Sequence, residues 1–153
     1  MHYDLLREIN MKIGEIIYEE SQSGQIINSK LEDYILVEGI WALYGKRNGT
    51  LKYECLNVGK SKNVGREILY DISCMHFLKI RVDGTRKYIN QFKEDCKFMY
   101  KAGQPQEYLY PIIASRYSSF KFVYVYDKSD RNEEKKYAQE NKPVFWRNGK
   151  PYK

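Results

Sequence analysis

One stretch in the first half of the chain combines residue types that bind phosphate groups. It runs Asn57-Val58-Gly59-Lys60-Ser61-Lys62-Asn63, with a glycine turn between an amide and two lysines. Free backbone amides at the start of a helix and lysine side chains both bind phosphate oxygens, so we expect Lys60 and Lys62 to contact phosphate. The stretch is not a P-loop, because that motif needs a further glycine where Glu54 stands.

The net charge of the chain also favours an anionic partner. The sequence has 26 Lys and Arg residues against 20 Asp and Glu residues, which gives a formal charge of +6. An excess of this sign favours polyanions such as nucleic acid. Arg116 and Lys121 flank a predicted strand and are candidate contacts to backbone phosphates, although an ordinary solvated rim explains them equally well.

A strand pair precedes and positions the phosphate-binding stretch. Residues 34–44 are apolar and rich in branched and aromatic side chains, which predicts a buried strand. Asn48-Gly49 predicts a hairpin turn, and residues 51–58 return as the antiparallel partner. Alternation along this second strand predicts that Tyr53 and Asn57 share one face.

Four segments are predicted to form helices, three from the helical spacing of their apolar residues and the last from its start and stop residues. They are residues 4–20, residues 63–75, residues 85–100 with Gly103 and Pro105 marking the end, and a charged segment from Asp130 or Asn132 to 141. We expect the first segment to pack on the domain. A dimer contact or a DNA-facing arm is the alternative, so a homodimer is one of the expected oligomeric states.

The alternating pattern of residues 119–127 predicts a third strand, and a further short strand at 79–82 is an alternative. The order of elements predicts an α+β fold, in which helices flank a small three-stranded antiparallel sheet and an extra helix precedes it. Residues 1–33 are expected to form an N-terminal helical extension and linker, residues 34–146 the domain, and residues 147–153 a basic C-terminal tail.

The order of these segments resembles that of the GIY-YIG nucleases. Three segments carry the resemblance: Gly39-Ile40-Trp41 on the first strand, Asn57 to Asn63 at the end of the second, and Glu134 to Ala138 followed by Lys142-Pro143 on the last helix. It covers residues 35–75 and 119–146. It implies a GIY-YIG-like domain that binds DNA and cleaves it by hydrolysis of a phosphodiester bond.

The family uses one divalent metal ion, and the resemblance implies that Glu134 holds Mg²⁺ or Mn²⁺ here. A bound metal ion lowers the pKa of its water, and fixed cations stabilise the charge that develops on the phosphate. A solvated helix carboxylate beside two lysines is the alternative for Glu134.

The chain departs from the family at the other reactive positions. Trp41 and Asn57 stand where the family has tyrosines, and neither takes a proton from water at neutral pH. Glu67 stands at the arginine position, and Arg66 precedes it by one residue. From the resemblance we assign charge stabilisation to Arg66 and positioning of water to Tyr53 with Asn57. The alternative is a non-catalytic nucleic-acid-binding or regulatory module on the same fold.

A histidine, the cysteines and the apolar segments give further expectations about catalysis and cellular location. His76 is expected to be a satisfied, half-buried imidazole, with a role as a catalytic base as the alternative. The three cysteines Cys55, Cys74 and Cys96 have no CxxC spacing, which predicts neither a zinc site nor a disulfide framework and fits a cytoplasmic protein. No apolar run reaches the length of a membrane-spanning helix, so no membrane association is expected. A third alternative is a small protein that binds a protein partner.

Overall fold

The computed structural model describes residues 13–83, 86–89 and 105–146. Within these ranges the chain forms seven strands, three α-helices and one short 3-10 helix. In chain order they are β1 (Ile16–Glu20), β2 (Ile26–Ser29), the 3-10 helix (Leu31–Tyr34), β3 (Gly39–Arg47), β4 (Tyr53–Ser61), α1 (Val64–His76), β5 (Leu78–Ile80), β6 (Arg86–Tyr88), α2 (Pro105–Arg116), β7 (Tyr117–Tyr126) and α3 (Arg131–Asn141).

Five of the strands form one antiparallel sheet in the order β2-β1-β7-β3-β4, and β5 pairs with β6 as a separate hairpin. The α+β class is therefore confirmed. The predicted number of three strands was too low, because β1 and β2 extend the sheet beyond β7. The three strands that the sequence pattern predicts for the sheet correspond to β3, β4 and β7.

The predicted helix over residues 4–20 is wrong in its described part. Gly14 has a φ of +90°, which a right-handed helix cannot contain, and Ile16–Glu20 is a strand. Ile17 and Tyr18 are buried, and Tyr18 pairs with Phe122 of β7. Pairing with the sheet thus outweighs the helical spacing of the apolar residues. Residues 1–12 lie outside the described residues.

The predicted helix over residues 85–100 is wrong at its start, where Arg86–Tyr88 forms β6 and pairs with β5. Residues 90–104 lie outside the described residues, as does the tail at 147–153. Pro105, which the sequence pattern placed after the end of a helix, begins α2 instead. Proline is well tolerated there because the first helical residues have no intrahelical acceptor for an N–H group.

Helices α1 and α3 confirm two of the predicted helices. Asn63 precedes the first residue of α1, and Asp130 caps α3 by accepting hydrogen bonds from the backbone N–H groups of Asn132 at 2.8 Å and Glu133 at 3.1 Å. Lys142 ends α3 in the left-handed conformation. These caps fix where α3 begins and ends, and therefore where Glu134 lies.

The sheet has a core on each face. One core joins the sheet to α1 and α2 and contains Trp41, Leu43 and Leu56. The other is smaller and packs Ala42 and Cys55, among others, against Ala138 of α3. Helices α1 and α3 meet the sheet near β4, and α2 packs on α1. Side chains from all three helices therefore lie around the same end of that strand.

A β-bulge in the β3–β4 pair reverses the alternation of side chains along β4. Leu43 pairs with Asn57, whereas the next residue, Tyr44, pairs with Cys55. Asn57 consequently points to the α1/α2 face and Cys55 to the α3 face. The prediction that Tyr53 shares a face with Asn57 was wrong for this reason.

In the part of the chain that the structure describes, none of the helices has the length and apolar character needed to cross a lipid bilayer.

Candidate functional site

A pocket of about 310 Å³ lies where β4, α1, α2 and α3 meet. Three acidic side chains, Glu67, Asp71 and Glu134, contribute to its wall, and we call it the carboxylate pocket. Its other lining residues are Trp41, Asn57, Val58, Gly59, Lys60, Pro105, Gln106, Leu109, Tyr110, Phe145 and Trp146.

Trp41 positions the first of these carboxylates. Its indole Nε1 donates a hydrogen bond to Glu67 Oε1 at 3.0 Å. The indole lies directly on the backbone of Gly59, since a Cβ atom there would come within 2.3 Å of a ring carbon of Trp41. The glycine of the phosphate-binding stretch is therefore needed for close packing of Trp41, and it is not in the left-handed conformation.

Burial raises the pKa of Glu67 to about 7, and the nearby negative charge of Glu134 acts in the same direction. Hydrogen bonds from Trp41 and Ser61, together with the charge of Lys60, oppose this rise. A carboxyl group with a pKa near neutrality can take or give a proton at physiological pH.

A chain of hydrogen bonds connects the strand to α1 through α2. Asn57 Nδ2 donates to Tyr110 Oη at 3.2 Å, and Tyr110 Oη donates to Asp71 Oδ2 at 3.0 Å. Burial raises the pKa of Asp71 well above its usual range, and the charge of Glu67 adds to the rise. Asp71 Oδ1 is buried and has no hydrogen-bond partner among the described residues. Burying a polar atom without a hydrogen bond costs free energy. This oxygen is therefore an acceptor in the wall of the pocket that a ligand or water could satisfy.

Glu134 enters the pocket from α3. Only 9% of its surface is exposed, and burial raises its pKa, while the positive charges of Lys60 and Arg131 oppose the rise. Lys60 is the one lysine among the lining residues of the carboxylate pocket. The site therefore combines an excess of acidic groups with one cation from the phosphate-binding stretch.

The donor chemistry of this pocket fits a hard divalent cation. Mg²⁺ prefers oxygen ligands and keeps several of its waters, so one or two carboxylates suffice to bind it. Glu134 would hold such an ion, and Asp71 Oδ1 shows that acceptor capacity is left over in the same wall. No set of three or more acidic, histidine or cysteine side chains in the described ranges is arranged to hold a metal ion.

Three of the residues that were predicted for the site are brought together. Asn57, Lys60 and Glu134 all line the carboxylate pocket, although they come from positions up to 77 residues apart in the chain. Trp41 and Glu67, which occupy the other positions marked by the resemblance, line it as well.

Two predicted catalytic residues lie elsewhere. Tyr53 is on the α3 face of the sheet, where Lys121 Nζ lies 4.1 Å and Lys46 Nζ 4.7 Å from the centre of its ring. Arg66 is not among the lining residues of the carboxylate pocket, because it points about 100° away from Glu67 around α1. Neither residue has a place in the pocket.

The remaining predicted DNA contacts are distributed over the surface. Lys62 Nζ forms an ion pair with Glu38 at 2.9 Å, beyond the pocket. Lys121 covers the Tyr53 ring, and Arg116 lines a second pocket near the C-terminal end of α2. Their roles as DNA contacts stay predictions.

His76 is held by a buried carboxylate. Its Nε2 lies 2.7 Å from Glu20 Oε1, and Tyr18 donates its hydroxyl proton to Glu20 Oε2 at 2.7 Å. His76 does not line the carboxylate pocket. This geometry agrees with the expectation of a satisfied imidazole and gives no support to a role as base.

Sequence reasoning missed three residues of the pocket, namely Glu67 as an acidic group in its own right, Asp71 and Tyr110. Glu67 and Asp71 are four residues apart in α1, so they share a helix face with the buried side chains around them. That spacing could have identified Glu67 and Asp71 as neighbouring acidic residues. No sequence pattern could have identified Tyr110, because α2 was not predicted.

Searches against protein-family models, curated proteins and solved structures found no match to this chain.

The raised pKa values predict an unusual dependence of stability on pH. Between about pH 5 and pH 7 the folded protein keeps a proton on Glu67 that the unfolded chain releases, because an exposed glutamate has a pKa of about 4.3. The free energy of unfolding should therefore fall as the pH rises through this range, by roughly 1 to 2 kcal/mol.

Urea denaturation in EDTA at several pH values would test this prediction. Glu67→Gln removes the titrating group, so this variant should show a flatter profile and exceed the wild type in stability near pH 8. Glu140→Gln, which alters an exposed residue of α3, should keep the wild-type profile. A wild-type protein whose stability rises from pH 5 to pH 7 would contradict the prediction.

Proposed function

We propose that the protein is a divergent GIY-YIG-like DNA endonuclease that hydrolyses phosphodiester bonds with the help of a divalent metal ion, at the carboxylate pocket. One observation carries the proposal. The four positions that the resemblance marks as reactive, occupied by Trp41, Asn57, Glu67 and Glu134, line a single pocket although they come from four different elements. A chance likeness of short segments would not require these positions to converge.

The topology around the pocket supports the same architecture. Strands β3 and β4 form a hairpin, α1 follows β4 directly, and β7 pairs with the other side of β3 before α3 begins. This order of elements is the one that the resemblance implies for residues 35–75 and 119–146. Strands β1 and β2 add to it at the far side of β7.

In this proposal Glu134 and Glu67 have different tasks. Glu134 would hold Mg²⁺ or Mn²⁺, which supplies charge stabilisation on the phosphate and an acidified water when bound. Glu67 has a pKa of about 7, so it is suited to accept the proton of the attacking water. The bond from Trp41 holds the Glu67 carboxylate in place for that task. Glu67 thus replaces the phenol that the family would use.

Asn57 and Lys60 would position the substrate. Tyr110 accepts one amide proton of Asn57, which leaves the amide oxygen and the second N–H group for a water molecule or a phosphate oxygen. Tyr110 is buried and acts as a positioning residue, since its own proton is donated to Asp71. Lys60 supplies the positive charge that the resemblance assigned to Arg66, whose role stays a prediction from the resemblance alone, as does that of Tyr53.

The charge and the cysteines fit this function in the cytoplasm. A net charge of +6 favours association with DNA. Cys55 and Cys74 are buried thiols, which is expected of a protein that folds in a reducing compartment.

A non-catalytic nucleic-acid-binding module is the second candidate function, and one observation favours it. The position that the family fills with arginine holds Glu67, whose carboxylate is engaged by Trp41, and the negative charge there opposes the approach of a phosphate. Such a module would bind DNA with a strong dependence on salt and would not cleave it.

Incubation of the purified protein with supercoiled plasmid DNA separates the two candidates. The nuclease should convert the plasmid to the nicked form in Mg²⁺ or Mn²⁺ and not in EDTA, and Glu67→Gln should slow this conversion by about a hundredfold, the scale of a lost general base. Binding without nicking at any metal concentration would reject the nuclease in favour of the module. Neither binding nor nicking would reject both.

A further inference from the structure

A second pocket, of about 330 Å³, lies at the opposite end of β3 and α2 from the carboxylate pocket. Two arginines line it, and we call it the arginine pocket. Its lining residues are Arg47, Asn48, Ser115, Arg116, Tyr117, Val144 and Phe145. A cavity of this size with two guanidinium groups is suited to an anion, because a guanidinium presents several donors in a planar fork.

Arg47 is held in place before any ligand binds. Its Nη2 donates a hydrogen bond to Tyr117 Oη at 3.1 Å, and its guanidinium carbon lies 5.6 Å from the centre of the Tyr117 ring. Its Nε lies 3.5 Å from Glu54 Oε2, a pair in which both side chains are substantially exposed. Exposed pairs of this kind are weak, so the carboxylate does not prevent Arg47 from binding an anion.

Arg116 supplies a second charge that nothing in the described part of the chain neutralises. Its side chain is exposed, and its guanidinium has no hydrogen bond or ion pair to any described residue. The turn after β3 holds the end of α2 in place, because Asn48 donates its backbone N–H to the carbonyl of Arg116 at 2.9 Å. The arginine pocket therefore carries two arginines against one carboxylate.

The two pockets share one wall. Phe145 lines both of them, and its backbone N–H donates to the carbonyl of Leu56 at 2.8 Å, which fixes residues 144–146 beside β4. Helix α2 also spans both, since Gln106 and Tyr110 line the carboxylate pocket and Arg116 the arginine pocket. The same segment of the chain therefore forms part of both pockets.

We propose that the arginine pocket binds a backbone phosphate of the DNA strand whose scissile phosphate occupies the carboxylate pocket. The proposal takes the identity of its ligand from the proposed function. The lining residues of the two pockets are separated by about seven or eight positions of α2, which corresponds to about 11 Å at a rise of 1.5 Å per residue. A separation of this size places the bound phosphate within a few nucleotides of the cleaved bond on the same strand.

The dependence of DNA binding on salt tests this proposal without cleavage. The affinity for a fluorescent duplex is measured by anisotropy in EDTA over a range of NaCl concentrations. Loss of one phosphate contact lowers the slope of log K against log[salt] by about 0.9 for duplex DNA. We expect this decrease in the Arg47→Gln/Arg116→Gln double variant. The Lys128→Gln/Lys136→Gln variant removes the same charge from exposed positions outside both pockets and should keep the wild-type slope.

The single variant Arg116→Gln protects the test against misfolding. It alters an exposed side chain and leaves the contact of Arg47 with Tyr117 intact, so its slope should fall in the same direction by a smaller amount. Equal slopes for the arginine and lysine double variants would overturn the proposal, as would a wild-type protein that does not bind DNA. Binding that depends on the two arginines in a protein that never nicks DNA would support this site and reject the nuclease instead.

Discussion

Replacement of Glu134 by glutamine is expected to reduce metal-dependent nicking of plasmid DNA at least about a hundredfold, which corresponds to about 2.7 kcal/mol of transition-state stabilisation. Glutamine keeps the shape of the side chain, so packing at this nearly buried position should be preserved. The variant loses the negative charge that would hold Mg²⁺ or Mn²⁺. Changes to residues that merely support a metal ligand already cost ten- to a hundredfold, so removal of the ligand itself should cost at least as much.

Two further measurements make the Glu134→Gln result specific. Glu133→Gln changes the neighbouring carboxylate of α3, which does not line the carboxylate pocket, and should nick DNA at the wild-type rate. Binding of Mn²⁺, followed by calorimetry, should weaken in Glu134→Gln and not in Glu133→Gln. Full activity in Glu134→Gln would contradict the assignment of this residue to the metal.

A Gly65→Ala substitution should destabilise the protein by about 3 kcal/mol, the upper end of the usual cost of overpacking. A Cβ atom at this position would lie 2.6 Å from the carbonyl oxygen of Leu31, 2.7 Å from the carbonyl carbon of Tyr34 and 2.8 Å from the backbone nitrogen of Ile35. These are backbone atoms and cannot rotate away. The first turn of α1 would have to move off the 3-10 helix, which would also displace Glu67.

The sign of the Gly65→Ala effect is decisive. In an unobstructed helix, replacement of glycine by alanine stabilises by about 1 kcal/mol, so a gain in the free energy of unfolding would contradict the close approach of α1 to the 3-10 helix. Urea denaturation measures this quantity. Gln139→Ala, at an exposed position of α3, serves as the control and should change it by no more than about 0.5 kcal/mol.

The elements that sequence reasoning found are those with strong local signals. Strand β7 alternates from Phe120 onward, α1 has helical spacing, and α3 begins at a capping aspartate. The failures at β1 and α2 have physical causes. Ile16–Glu20 has helical spacing but gains its stability from pairing with β7, and Pro105 has a different meaning at the first turn of a helix from that at its end.

The candidate site was predictable only in part, for a related reason. Asn57, Lys60 and Glu134 could be identified because short segments mark them, and all three line the carboxylate pocket. Tyr53 was placed on the wrong face because a bulge is decided by pairing between strands and leaves little trace in one sequence. Tyr110 reaches the site from a helix whose position depends on tertiary packing, which no local pattern encodes.

The segment after α3 has a consequence for association between chains. Val144 and Phe145 donate backbone hydrogen bonds to the carbonyls of Cys55 and Leu56 at 3.1 and 2.8 Å, and so occupy the outer side of β4. An occupied strand edge cannot recruit a strand from another molecule. Among the described strands of the sheet, the other edge is β2, where Ile26 and Ile27 are 65% and 61% exposed. A molecule that extends this sheet along the whole length of an edge strand is therefore expected to do so at β2, on the side away from the carboxylate pocket.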